Sequence, residues 1–249
     1  MEGGLFNNVK KIGNFIIKIS KKDSGISNQI IKEMSYGTEK EYAININNVG
    51  IKTAKVYFSF PLFHYHVSVQ KYIAGQTVQE ILNDKNIPIK EKLHVFEKYI
   101  DIYTMSQVND NLCLDWNMKN FIYKEDEIYY VDLVPCLYKD IIKKSTSNNL
   151  LQYKESYLNK NIQIAGILGY TIMPFIKYKS KEEVKEIYQK INDILYQKLK
   201  FSLNSMDYHL QHVYLYKLIQ IDDYLNTDLT YEKMKNNIDN HSMQKTFQK

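Results

Sequence analysis

The sequence predicts an α+β protein in two parts, a small antiparallel β part with one helix followed by a larger helical part. Three observations carry this. Residues 4–19 and 52–73 hold β-prone runs broken by turn residues. From Thr77 onward, apolar residues recur three and four positions apart, the period of a helix face. The change falls at Ala74-Gly75, so the expected division is residues 1–73 and residues 74–249.

Each element follows from its residues. Val9–Ile12 and Phe15–Ile19 read as strands joined at Gly13-Asn14, since a two-residue turn with Gly between β-prone runs signals a hairpin. Residues 20–37 are polar and read as a loop with a short helix. A helix is expected over Thr38–Asn47, with Gly50 past its end as the residue that can turn left-handed. Residues 52–59 and 65–73 give two further strands. Thr77-Val-Gln-Glu80 has the form of a capping box and opens the helical part. Leu93, Phe96, Ile100 and Tyr103 line one helix face. Val184, Ile187, Ile191, Ile194 and Leu195 line a second, and Leu210, Val213, Tyr214, Leu218, Ile221 and Leu225 a third. A single hairpin near 120–132 is expected to interrupt the helices. The polar stretch 235–249 is expected to fray.

Bulk properties exclude several classes. With 44% hydrophobic and 24% charged residues, the 249-residue chain is globular rather than disordered. No apolar run approaches the ~18 residues that span a bilayer, so no membrane insertion is expected. Met1–Lys10 lacks the basic and apolar regions of a secretion leader. Cys113 and Cys136 lack metal-ligand spacing and read as reduced thiols of a cytoplasmic protein. Net charge is +5, but all 33 basic residues are Lys. Bidentate readout of guanine and phosphate is Arg chemistry, so a nucleic-acid partner is not expected.

The stretch Leu114–Pro135 carries the chemistry. It contains Asp115, then Asn120 five positions on, then a strand, a turn, a second strand and Asp132. That is the spacing by which a phosphoryl-transfer site holds a base and its metal ligands. Asp115 would orient a hydroxyl and accept its proton, while Asn120 and Asp132 would give Mg²⁺ the oxygen ligands it prefers. The bland alternative for Asp115 is a turn-initiating Asp, since Asp and Asn favour turns. Lys18 stands in the middle of an apolar strand, where a charge must be paired or exposed. His64 and His66 alternate onto one strand face, and His209 and His212 sit at i, i+3. Neither pair has a third metal ligand placed by sequence.

Three segments together resemble the bacterial small-molecule kinases of protein-kinase-like fold, the aminoglycoside phosphotransferase, choline kinase and thiamine kinase group. Gly3-Gly-Leu-Phe-Asn-Asn-Val-Lys-Lys-Ile-Gly-Asn-Phe-Ile-Ile-Lys-Ile is similar to that group's opening. Val69-Gln-Lys-Tyr-Ile-Ala-Gly-Gln-Thr-Val is similar to its hinge, and Asp115–Asp132 to its catalytic loop and metal strand. The resemblance implies a bilobal fold and transfer of a phosphoryl group from ATP or GTP, with Mg²⁺, to a hydroxyl of a small molecule. It implies that Lys18 meets the nucleotide phosphates and pairs with Glu41, or failing that Glu39, with Glu33 an outside candidate. It also implies that the backbone of Gln70, Lys71, Tyr72 and Ile73 meets the base edge. Three departures stand out. Cys113 occupies the position usual for a loop-supporting His, Leu133-Val134 follows the metal Asp, and Gly3–Asn8 lacks a full glycine-rich motif. A protein kinase would need a peptide-binding segment after Asp132, and none is found. A nucleotide-binding protein without transfer is the second reading. Substrate and oligomeric state are left open by the sequence.

Overall fold

The computed structural model describes residues 7–21, 39–63, 65–133, 136–144, 151–201 and 212–247. β1 (Asn7–Ile12) and β2 (Phe15–Lys21) form the expected hairpin, and Gly13 takes φ +55 in its turn. α1 (Glu39–Asn48) ends as the sequence predicts. Gly50, at φ +88, donates its amide to Asn47 O at 2.9 Å. β4 (Val56–Leu62) and β5 (Tyr65–Lys71) complete an antiparallel sheet of order β1-β2-β5-β4.

The two faces of this sheet are unlike. Register sets Lys18 opposite Ser68 and Ser68 opposite Ser59, so all three point the same way. That face is covered yet polar: Lys18, His66, Ser68 and Gln70 are all buried. The other face carries Phe15, Phe58 and Phe60, which are exposed. Burying polar groups costs free energy unless they are hydrogen-bonded, so the covered face must be internally paired.

A second sheet, in the order β3 (Lys52–Thr53), β8 (Glu127–Tyr130), β7 (Phe121–Lys124) and β6 (Gln76–Thr77), holds the later hairpin. β7 and β8 turn at Glu125 and Asp126, whose φ values are 51 and 63, the left-handed pair of a tight hairpin turn. β3 runs parallel to β8, and β6 antiparallel to β7. The hairpin therefore does not stand alone among helices, as its sequence suggested. Two-residue strands leave too little pattern to read. Gly75 is required here, because a Cβ would lie 2.4 Å from Tyr123 O and 2.7 Å from Ile122 Cγ2. Gly75→Ala is expected to destabilise the protein by about 1–3 kcal/mol through this overpacking, read as a lower urea midpoint with unchanged slope.

The helices that follow are α2 (Val78–Asn83), α3 (Ile89–Ser106), α4 (Lys139–Lys144), α5 (Leu151–Leu158) and α6 (Lys160–Ile176). They continue with α7 (Lys181–Leu199), α8 (Val213–Asn226) and α9 (Tyr231–Phe247). Phe96, Ile100 and Tyr103 of the first predicted stripe are buried, as are Val184, Ile187, Ile191 and Leu195 of the second. Ser180 and Glu183 cap α7 reciprocally. Gly166 on α6 admits the Tyr214 ring of α8, to which a Cβ would come within 2.9 Å.

The expected fraying of 235–249 is not found in the part described. α9 is helical to Phe247, with Met234 buried and His241 stacked on Tyr216 at 3.9 Å. Asn237 donates to Gln220 Oε1 at 2.6 Å. Tertiary partners on α8 hold a helix that its own polar sequence would not.

The chain divides into two compact units. One comprises Met1–Val78 with Lys98–Leu158, the other Gln79–Glu97 with Asn159–Lys249. The change of patterning near residue 73 falls just before β6 and α2, while each packed unit draws on two separate stretches of chain. Among the described residues, no helix is long and apolar enough to cross a membrane.

Candidate functional site

The first unit brings together Lys18, Asp115, Asn120 and Asp132. Lys18 leaves the middle of β2 toward the covered face. Its Nζ donates to Asp132 Oδ1 at 2.9 Å and to Val131 O at 2.8 Å. Its side chain is 8% exposed and that of Asp132 25%.

Local hydrogen bonds build the loop that faces this pair. Asp115 Oδ1 accepts the Asn117 amide at 3.0 Å, and Asn117 Oδ1 accepts the Lys119 amide at 3.1 Å, which opens a short 3₁₀ turn over Met118–Asn120. Asn120 Nδ2 donates to Asp115 O at 3.4 Å. The Val131 amide then donates to Asn120 O at 2.9 Å, tying the end of β8 to the turn. Five residues of loop and one hairpin thus return the chain to its starting point, and this is how Asp115, Asn120 and Asp132 come into one place.

The electrostatics follow from that closeness. Burial pushes the Asp115 carboxyl up to about 6, and the charge of Asp132 pushes in the same direction. The Asn117 amide and the Asn120 side chain draw it partly back. Two carboxylates and an amide side chain form a set rich in oxygen acceptors, which favours a cation. Asp132 and Asn120 are the side chains here that could hold Mg²⁺, a cation that takes oxygen ligands from one or two carboxylates and leaves the rest of its shell to phosphates and water. Among the described residues no group of three His, Cys, Asp or Glu could hold a metal ion by itself.

The expected partner of Lys18 is corrected. Glu41 is exposed on α1, and Glu39 is engaged elsewhere. The Glu39 carboxylate accepts from Ser59 Oγ and lies 2.5 Å from His66 Nε2, with both the Glu39 and His66 side chains fully buried. Burial pushes its carboxyl up, but the hydrogen bonds from His66 and Ser59 and the His66 charge outweigh this and leave it below its ordinary value. The physical reason is sheet register. Ser59 and His66 lie under the first turn of α1, whereas Lys18, two strands from Ser59, meets Asp132 instead. Glu33 lies outside the described residues, as do His64, His209 and most of Gly3–Asn8.

The base-edge expectation narrows. Lys71 and Tyr72 donate their amides to Lys55 O and Asn14 O, each at 2.8 Å, so these two N–H groups are engaged within the protein. Gln70 is a buried member of β5 whose Nε2 donates to Ser68 Oγ at 3.3 Å. Ile73 follows the strand.

Sequence reasoning missed the groups that hold the loop. Tyr42 Oη on α1 donates to Cys113 O at 2.5 Å, and Tyr99 Oη on α3 donates to Trp116 O at 2.7 Å. Tyr130 Oη on β8 accepts the Asp115 amide at 3.3 Å. Cys113 is buried, its thiol pushed up to about 12 by burial, and its Sγ donates to Tyr157 O at 3.5 Å. With 22 Tyr in the chain, nothing marks these three before the fold is known. His212 proves to cap α8, its Nδ1 accepting the Tyr214 amide at 3.2 Å. Compared with protein-family models and with curated proteins, the chain matches none.

Proposed function

We propose that the protein is a phosphotransferase that moves the γ-phosphoryl group of ATP or GTP onto a hydroxyl of a small molecule. The observation that carries this reading is the convergence of Lys18, Asp115, Asn120 and Asp132 in one compact unit, with Lys18 Nζ 2.9 Å from Asp132 Oδ1. An ammonium, two carboxylates and an amide from separate segments form the set that phosphoryl transfer needs for positioning and charge neutralisation.

Each residue has a distinct role. Lys18 binds nucleotide phosphate oxygens through its ammonium. Asp132 and Asn120 hold Mg²⁺, which supplies neutralisation of phosphate charge when bound. Asp115 accepts a hydrogen bond from the substrate hydroxyl and takes its proton. The hydroxyl oxygen forms the new bond to the γ-phosphorus as the bond to the bridging oxygen breaks, releasing ADP or GDP. The half-buried position of Asp115 keeps its carboxylate short of full hydration, which favours its work as an acceptor.

A second reading, a nucleotide-binding protein without transfer, is favoured by one observation. Asp115 Oδ1 already accepts the Asn117 amide, the role of a turn residue. One experiment separates the two: the full chain is assayed for nucleotide binding and for Mg²⁺-dependent turnover against a panel of hydroxylated amines, sugars and antibiotics. Asp115→Asn is expected to retain nucleotide affinity and to lower kcat by roughly 10²–10⁴-fold, because it keeps the shape and removes the proton acceptor. A wild-type rate in Asp115→Asn makes Asp115 a turn residue only. Wild-type protein that binds nucleotide and turns over nothing favours the second reading.

A further inference from the structure

The segment 113–117 belongs to no strand or α-helix, so its backbone polar groups must find partners elsewhere. Three of them meet tyrosines, while others meet Leu137 O, the Asp115 carboxylate, Asn120 and the Cys113 thiol. Tyr42 Oη meets Cys113 O at 2.5 Å, Tyr99 Oη meets Trp116 O at 2.7 Å, and Tyr130 Oη meets the Asp115 amide at 3.3 Å. All three rings are fully buried. Cys113 cannot supply this support through its side chain, because its thiol is directed to Tyr157 O and Leu114 O.

We propose that Tyr130 is a positioning residue for Asp115, fixing the backbone from which that carboxylate projects, with Tyr42 and Tyr99 holding the loop on either side. This rests on the phosphotransferase reading for its effect on rate. Tyr130 differs from the other two in touching Asp115 itself. It also stands two residues before Asp132 on the same chain segment, so one strand sets both the backbone of the base and the metal carboxylate. Its ring packs on Phe121 at 5.1 Å, and Phe121 stacks on Trp116 at 5.6 Å, so the ring cannot turn without moving the loop.

Tyr130→Phe removes the hydroxyl and keeps the packed ring. The test uses the full chain and two readouts, steady-state kinetics with Mg²⁺-ATP or Mg²⁺-GTP and amide hydrogen exchange read by mass spectrometry. Kcat is expected to fall by roughly 10- to 100-fold, with KM for nucleotide and acceptor unchanged within about twofold, because a misplaced base affects transfer and not binding. Exchange is expected to quicken in peptides covering 113–117 and not in β1–β2. Tyr123→Phe, on the same hairpin but bonded to exposed Asp126, should leave both unchanged. A wild-type kcat in Tyr130→Phe, or unchanged exchange at 113–117, overturns the proposal. If the wild type turns over no acceptor, the phosphotransferase reading fails, and the exchange readout alone then decides whether Tyr130 holds the loop. Should Tyr130→Phe not fold, Tyr99→Phe, whose lost hydroxyl bonds Trp116 O, carries the same pair of measurements and the same overturning results.

Discussion

On the proposed phosphotransferase function, Asp132→Ala is expected to abolish Mg²⁺-dependent nucleotide turnover, the largest effect on activity expected of any single substitution in this protein. Asp132 is the carboxylate partner of Lys18 and, in the proposed function, would also be a ligand for Mg²⁺. Removing it takes an oxygen ligand away and leaves the Lys18 ammonium with Val131 O, 2.8 Å distant, among the two acceptors it had. The stability cost is smaller than for a fully buried pair. Asp132 is a quarter exposed, so water reaches the vacated place and the loss is about 1–2 kcal/mol. Asp132→Asn separates the two tasks, since it keeps an oxygen for Lys18 and loses the charge. Turnover and thermal melting of both variants check this. Wild-type turnover by Asp132→Ala would remove Asp132 from the site.

Glu39→Ala is expected to cause the largest loss of stability, about 3 kcal/mol, because it removes a buried acceptor and leaves Ser59 Oγ and His66 Nε2 without it. Glu39, His66 and Ser59 form a cluster in which the Glu39 and His66 side chains have no exposed surface. Glu39→Gln keeps the shape and should cost less. The pH dependence has a definite sign. The folded-state carboxyl of Glu39 lies below its ordinary value of 4.5. Its contribution is therefore fully present above that ordinary value and is lost as pH falls through the lower folded-state value. The stability gap between wild type and Glu39→Gln should be constant near neutrality and narrow on acidification below about 4.5, measured by urea unfolding across pH. A gap that widens with acid would show that Glu39 is not held ionised.

The sequence was most readable where one period repeats over many residues. The stripe through Phe96, Ile100 and Tyr103 is buried as expected, and so are Val184, Ile187, Ile191 and Leu195 of the second stripe and Leu218, Ile221 and Leu225 of the third, whose Leu210 lies outside the described residues, because a helix states its buried face every turn. The β1–β2 hairpin and the end of α1 were legible from Gly13 and Gly50, both at positive φ. The spacing of Asp115, Asn120 and Asp132 was legible because a loop and one hairpin bring these residues back together without help from distant chain.

What needed the tertiary structure was every choice among equivalent partners. Lys18 had acidic candidates at Glu39 and Glu41, and sequence distance cannot rank them. Sheet register gave Glu39 to His66 and left Lys18 to Asp132, a residue 114 positions away. The short strands β3 and β6 acquired their identity only from pairing with β8 and β7. The tyrosines around Asp115 could not be told from the other 19 of the chain's 22 by composition or period, because a phenol becomes a support for a loop only when packing aims its hydroxyl at a backbone group. Local pattern thus determined the elements and the order of the chemical groups, since both depend on residues near in sequence. Pairing across the sheets decided which charges neutralise each other and what holds the loop, since those interactions depend on distance in space.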